Sequence, residues 1–380
     1  MNARTLFLGA ALMAAAGLGT PSFADDVKLP ATVAWSAYNT GTTGYNQSVA
    51  IGKALKDKYG TSLRVVPGKN DISRLTPLRN GQVQFVANGG ATYFAFEGLS
   101  DFAAKEWGPQ PFQLLISASS DANLSVGTAK DANIRTAADL KGKRVAWVRG
   151  GDALNIGVEA VLAFAGLSWN DVKKVEFPGF GASWDGMVNG QVDAAFASTV
   201  SGTTRKLEAS PRGIFWPLLP HKNEAGWQRL LTVAPYFVKH TATIGSGISK
   251  DSPHEGGAYP YPILITLASQ NDGLVYSMTK AINSQYASFK DAMPALKGWA
   301  LERQAFKWAV PYHRAAVKYW KEIGAWTGDM DAHNNKLLKR QEVLAAAWAN
   351  MTTSKADGDA FKAEWAKVRV AALKKAGFTP

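Results

Sequence analysis

Three loops in this sequence gather the residue types that can hold a small charged group. The first, Thr40-Gly41-Thr42-Thr43-Gly44-Tyr45, follows a strand-like run and opens a helix-like one. A hydroxyl of Thr42 or Thr43 can cap that helix while its free N–H groups and dipole face the crevice at the strand ends, where an anion is stabilised. The same pattern describes equally well a loop whose threonines only cap and whose glycines only turn. Val86-Ala87-Asn88-Gly89-Gly90-Ala91-Thr92 and Val148-Arg149-Gly150-Gly151-Asp152-Ala153-Leu154 also end a strand and precede a helix. Arg149 offers a planar guanidinium for bidentate bonding to a carboxylate, against the simpler role of a surface arginine paired with Asp152 or another acid. Asp152 reads either as a site residue or as a helix N-cap.

Residues suited to catalysis are scattered. The five histidines, His221, His240, His254, His313 and His333, form no His-Glu-x-x-His pair. The chain has no Gly-x-Ser-x-Gly elbow and no Gly-x4-Gly-Lys-Ser/Thr loop. This pattern argues against an enzyme and calls for no cofactor or metal. His313 reads best as a helix-packing histidine. The thirteen tryptophans serve a core better than a ligand, with Trp35, Trp147 and Trp184 nearest the three loops.

Alternating strand-like and helix-like segments position these loops. Thr32 to Ala37 and Leu63 to Val66 read as strands around a helix over 45–59, a βαβ unit continued by strands at 82–87 and 112–117 and a short helix at 91–98. A second set follows, with strands at 124–128, 144–148, 172–177 and 192–197 and helices at 154–165 and 182–189. The expectation is an α/β protein of two lobes joined by a hinge: residues 25–122 and 236–298 forming lobe I, 123–235 forming lobe II, and a helical C-terminal segment over 299–380. The return to lobe I, through a strand at 263–267 and a helix at 273–289, rests mainly on the resemblance described below.

The N-terminus carries an address. Arg4, the apolar run Leu6 to Gly19, too short to span a bilayer, and the small-x-small Ser22-Phe23-Ala24 predict a signal peptide over 1–24, cleaved near Ala24-Asp25. The mature protein is then expected to be soluble and periplasmic. With no cysteine, the lipidated-cysteine anchor is excluded, and a chain of this length can bury a sufficient core without disulfides. At 46% hydrophobic and 19% charged the chain is globular rather than disordered. Its formal charge of +12, one less once Arg4 is removed, suits acidic solutes or simple solubility. The basic residues are scattered rather than set in aromatic-interleaved patches, which argues against nucleic acid.

Several segments together resemble the TAXI family of TRAP transporter solute-binding proteins. They are Trp35 to Ala54, the Ser73-to-Gly81 segment leading into Val83-Gln84-Phe85-Val86, Thr136 to Val145, and Gly190-Gln191-Val192-Asp193-Ala194-Ala195-Phe196. The most specific is Pro311 to Gly324, similar to a Pro-x-His-x-Gly-Ala-x-x-Tyr-x-x-Glu-x-Gly pattern near that family's C-terminus. The resemblance implies a two-lobed periplasmic binding protein fold, type II-like, that closes on a small organic anion and docks as a monomer on membrane permease subunits. The family's Gly-Ser/Thr-x-Gly-Gly carboxylate loop looks like Gly41 to Tyr45, with Tyr45 in place of the second glycine, so Thr42, Thr43, Gly44 and Tyr45 become expected ligand contacts. By the same matching, Asn70 lies in an altered Gly-Gly-Ser segment (69–71), and Asn88 and Gly89 in an altered Gln-Ser-Asp segment (88–90). Arg149, Gly151 and Asp152 replace a Pro-Gly-Ser-Gly-Thr loop, and Ser198 and Thr199 match a further cleft loop. These substitutions imply a ligand outside the family's common glutamate and dicarboxylates. The competing expectation is the binding protein of an ABC importer for sulfonate, nitrate or aromatic acids, against which the Pro311-to-Gly324 segment speaks.

Overall fold

The computed structural model describes residues 27–380; the leader read over 1–24 lies outside the described residues. The first part of the chain alternates β1 (Thr32–Tyr38), α1 (Thr43–Tyr59), β2 (Ser62–Gly68), α2 (Asp71–Arg79), β3 (Phe85–Asn88), α3 (Ala91–Glu97) and β4 (Phe112–Ser117). The second runs β5 (Leu124–Ala129), β6 (Arg144–Val148), α4 (Asp152–Phe164), β7 (Lys173–Phe177), α5 (Phe180–Val188), β8 (Ala194–Ser198), α6 (Gly202–Glu208), β9 (Ile214–Phe215) and α7 (Glu224–Val233). A hairpin of β10 (Val238–Ala242) and β11 (His254–Ala258) precedes β12 (Ile263–Leu267). The remainder is helical: α8 (Asp272–Ser284), α9 (Tyr286–Phe289), α10 (Arg314–Glu322), α11 (Gly328–Ala349) and α12 (Gly358–Lys375).

Two five-stranded sheets organise these elements, ordered β2-β1-β3-β12-β4 and β7-β6-β8-β5-β9. In the first, β1 is parallel to β2 and β3, and β12 enters antiparallel between β3 and β4. In the second, β6 is parallel to β7 and β8, and β5 runs antiparallel beside β8. The first sheet therefore borrows one strand, β12, from beyond its own run of βα units, whereas the second is built from its own run alone. The chain passes between the sheets twice, at 118–123 and 259–262, and the two passes are bonded where Tyr261 N–H donates to Ala118 O at 2.7 Å. This is a two-lobed α/β architecture. Residues of β3, β4, β5 and β8 are buried throughout, because helices cover both faces of each sheet.

The structure adds α6, β9 and α7, for which the sequence reading gave no element, and departs from it in three further places. Helix α2 contains Pro77 near its end, and the proline hides the helical pattern. The β10–β11 hairpin lies with the second lobe, where Asn123 at the head of β5 bonds His240 Nδ1 through Oδ1 at 2.6 Å and Leu219 N–H donates to Glu255 O. The chain thus rejoins the first sheet at Ile263, later than Tyr236. The helix expected over 273–289 breaks at Gln285 into α8 and α9.

The C-terminal helices pack on the first lobe. Trp320 of α10 donates to Leu115 O at 3.1 Å, and Trp365 of α12 donates to Gly98 O at 2.6 Å. Among the described residues no helix is long and apolar enough to cross a membrane.

Candidate functional site

Helix α2 brings the decisive charges. Asn70 caps it: its Oδ1 accepts the Ser73 N–H at 2.8 Å and Ser73 Oγ accepts the Asn70 N–H at 3.1 Å, a reciprocal cap that fixes where the helix starts. Asp71 then falls in the first turn and Arg74 one turn later, on the same face. Both are buried, and Arg74 Nη2 meets Asp71 Oδ1 at 2.7 Å. The guanidinium lies 3.7 Å from the centroid of the Tyr38 ring, and the Tyr38 hydroxyl donates to Asp71 Oδ1. Close approach of α2 to β2 requires Gly68, since a Cβ there would stand 2.8 Å from the Arg74 backbone. Burial disfavours the Arg74 cation, but Tyr38 and Asp71 outweigh it and keep the guanidinium charged. Its Nε has no partner among the described residues.

Two loops at strand ends face this pair. Thr42 and Thr43 open α1, yet neither hydroxyl caps the helix; both Oγ1 atoms are buried without a partner among the described residues. Asn88, at the end of β3, is fully buried with both amide atoms unpartnered. Buried polar atoms are almost always bonded, so such a concentration of orphans marks a place where a ligand's own polar atoms complete the bonds. Tyr259 and Tyr261, on the return pass between the sheets, bring their hydroxyls to the backbone of Gly90 and Gly44. Burial pushes both phenols up, so they stay protonated.

The second lobe closes over these groups. Ala153 N–H donates to Asp71 Oδ2 at 2.9 Å, Asn70 Nδ2 donates to Arg149 O at 2.8 Å, and Phe180 N–H donates to Lys69 O at 2.8 Å. Gly202 sits so near the Gly41 carbonyl that a Cβ would meet it at 2.4 Å. Asp152, at the start of α4, accepts the Asp101 N–H of the first lobe at 2.8 Å. Its carboxyl is pushed up to about 8 by burial, then by the negative charge of Asp101, against the bonds from Asp101 N–H and Ser100.

Between the lobes lies a cavity of about 30 Å³ whose walls include Tyr38, Thr43, Arg74, Phe180, Phe196 and Ser201. A larger cleft of about 490 Å³ adjoins it, with Leu124, Ser198, Tyr259 and Tyr261 common to both.

The expected site residues divide in two. Thr42, Thr43, Gly89 and Ser198 line the cavity, and Gly44 and Asn88 stand beside it in the same loops. The other six line neither space. Tyr45 is on the outward side of the first turn of α1, and Asn70 is occupied as cap and lobe-to-lobe contact. Arg149 is exposed, and its carbonyl rather than its guanidinium meets the opposite lobe. Gly151 packs on Val148. Asp152 bonds Asp101, and the Thr199 hydroxyl is used by Asn123 N–H and Ile244 O. Sequence reasoning missed Tyr38, Asp71, Arg74, Phe180, Tyr259 and Tyr261. The Asn-x-x-Ser cap at 70–73 is the one local signal that points to α2. Among the described residues no group of three or more His, Asp or Glu is placed to hold a metal ion.

Residues 37–324 match the model of the NMT1-like family. The chain is similar to a protein of solved structure from Bordetella bronchiseptica RB50, at 17% identity over 79% of this chain and 91% of that one, with a TM-score of 0.45. It is also similar to an ancestral arginine-binding protein bound to glutamine, at 15% identity over 72% of this chain and 99% of that one, TM-score 0.44. A third is the alkanesulfonate-binding protein from Xanthomonas axonopodis pv. citri bound to MOPS, at 16% identity over 83% of this chain and 94% of that one, TM-score 0.37.

Proposed function

This chain belongs to the NMT1-like family, and from that premise we propose that it is an exported solute-binding protein that shuts two lobes on a small organic acid and hands it to membrane permease subunits of the TRAP type. The observation that carries the reading is Arg74: a buried cation at a cavity between the lobes, with Nε unpartnered and the orphan hydroxyls of Thr42 and Thr43 on the same wall. A carboxylate taken from water loses several kcal/mol of hydration unless such donors meet it. Here hydroxyls, protonated tyrosines, the N-terminus of α1 and one guanidinium converge from the first lobe, and the second lobe excludes water by closing. The work is capture and release, with closure stabilised by whatever the solute adds to the shut form. The TAXI resemblance supplies the TRAP partner, and the leader read over 1–24 supplies the periplasmic address.

The test is a thermal-shift and tryptophan-fluorescence screen of ligand-stripped mature protein against monocarboxylates, dicarboxylates, amino acids and sulfonates. A carboxylic acid is expected to raise the melting temperature, since it binds only the folded, closed form. Thr42→Val and Thr43→Val then each weaken that acid by roughly 5- to 100-fold, the cost of a lost bond at a buried polar ligand. Because neither hydroxyl has a partner without ligand, the ligand-free melting temperature should hold. A screen in which no acid shifts either signal defeats the reading. Expression with neighbouring permease genes, driven by an ion gradient or by ATP, decides between a TRAP partner and an ABC importer.

A further inference from the structure

The cavity beside Arg74 is small for a whole metabolite, whereas the cleft adjoining it is not. A volume of about 150 Å³ accepts a benzene ring, and the cleft holds about 490 Å³. Its walls include the rings of Tyr236, Tyr259, Tyr261 and Trp308, with Val238 and Leu124, among small, polar and charged residues. The rings brace one another edge to face, Tyr236 against Tyr259 at 5.1 Å and against Trp308 at 6.3 Å between centroids. Two of them carry a donor unanswered among the described residues. Tyr236 is 5% exposed and Trp308 7% exposed, and neither the Tyr236 hydroxyl nor Trp308 Nε1 has a partner there. Burial raises the Tyr236 phenol well above its ordinary value, so it stays protonated. The cations at this cleft are already matched: Arg303 holds Asp121 at 2.7 Å and Lys307 holds Asp329 at 2.5 Å. The unmet demand is therefore for an apolar body with a neutral acceptor, and not for a second carboxylate.

We propose that this cleft is the second compartment of the solute site and that the solute is an aromatic monocarboxylate carrying a hydrogen-bond acceptor on the side of the ring away from its carboxylate. The inference rests on the reading above, in which the carboxylate occupies the Arg74 compartment. The ring then lies between Leu124 and the faces of Tyr259 and Tyr261, which with Ser198 border both spaces. Tyr236 and Trp308 meet the distal acceptor.

The experiment measures the affinities of acetate, benzoate, 4-methoxybenzoate and succinate for ligand-stripped protein by calorimetry, in the natural chain and in Tyr236→Phe and Trp308→Phe. Benzoate should bind at least about tenfold tighter than acetate, as expected for burial of a ring, and 4-methoxybenzoate tighter again. Each variant should erode the preference for 4-methoxybenzoate over benzoate by roughly 3- to 10-fold, the worth of one neutral hydrogen bond. Equal affinity for acetate and benzoate, or a preference for succinate, overturns this proposal while leaving the carboxylate site in place. Failure of all four acids to bind overturns the underlying reading as well.

Discussion

Asp71 of the first lobe accepts a hydrogen bond from the Ala153 N–H of the second at 2.9 Å through the same carboxylate that holds Arg74 at 2.7 Å. The group that keeps the buried cation in place thus also reports whether the lobes are shut. Asp71→Asn preserves the shape and an acceptor for Ala153 but leaves Arg74 without its counter-charge. Removing one partner of a buried pair costs about 3–5 kcal/mol, and the variant should lose that much in denaturant unfolding. A bound carboxylate replaces part of the missing charge, so the ligand-induced rise in melting temperature should be larger in Asp71→Asn than in the natural chain. Unchanged stability without ligand would show that Asp71 and Arg74 are solvated and independent.

Asp152 makes closure depend on protons. In the closed form burial and the charge of Asp101 push its carboxyl up to about 8, with Asp71 adding in the same direction; Asp101 is itself met by Lys362 at 3.6 Å. With the lobes apart the carboxyl returns toward an ordinary value of about 4. The closed form therefore binds the extra proton between these two values, and lower pH favours it. Solute affinity should rise as pH falls from 8 toward 6, by up to about tenfold per unit, and level off above 8. Calorimetry in buffers of different ionisation enthalpy should register proton uptake near pH 7, absent in Asp152→Asn. No uptake in the natural chain would mean that Asp152 keeps its environment when the lobes part.

Arg149 separates what a sequence can place from what it cannot. Periodicity located its loop, between β6 and α4, and its residue type suggested a carboxylate clamp. Which atom faces the other lobe is a matter of backbone direction at Gly150 and Gly151, and there the carbonyl meets Asn70. Arg149→Ala should leave solute affinity within about twofold, as for an exposed side chain without a charge partner among the described residues. A large loss in a binding titration would return the guanidinium to the site.

The two α/β lobes and the loops around Thr42 and Asn88 were legible because apolar period and glycine-rich strand ends survive in the local sequence. The heart of the site was not. Helix α2 reads Asp71-Ile72-Ser73-Arg74-Leu75-Thr76-Pro77-Leu78-Arg79, with a proline where a helix is ordinarily broken and too few apolar residues for a clear stripe. Only its cap, Asn70 with Ser73, is local. The Tyr38–Arg74–Asp71 cluster exists because β1 and α2 pack side by side, and Tyr259 and Tyr261 matter because the return pass runs beneath two loops far away in sequence. Neither meeting leaves a trace in spacing. The loop at Thr42 and Thr43 left two uses open for a related reason: capping is the commonest use of a threonine at that position, and only tertiary structure shows that it is not the use here.

Glu97 ties the C-terminal helices to the first lobe and sits at the end of α3 opposite to Gly90. Its carboxylate takes Arg340 of α11 at 2.5 Å and 2.9 Å and also bonds Arg369 of α12, while Trp365 caps the adjoining Gly98 carbonyl. All three side chains are largely buried, so each bond is charge-assisted and poorly replaced by water. Arg369→Ala should lower stability by roughly 2–3 kcal/mol, the scale for losing bonds to a buried charge. Solute affinity should stay within about twofold, because α3 is short and rigid and the cavity residues Gly89 and Gly90 are held from the other side by Tyr236 and Tyr261. A stable variant with weakened binding would instead make α11 and α12 part of the closing machinery, transmitting strain along α3 to the loop at Asn88; calorimetric affinity measured beside the unfolding curve distinguishes the two.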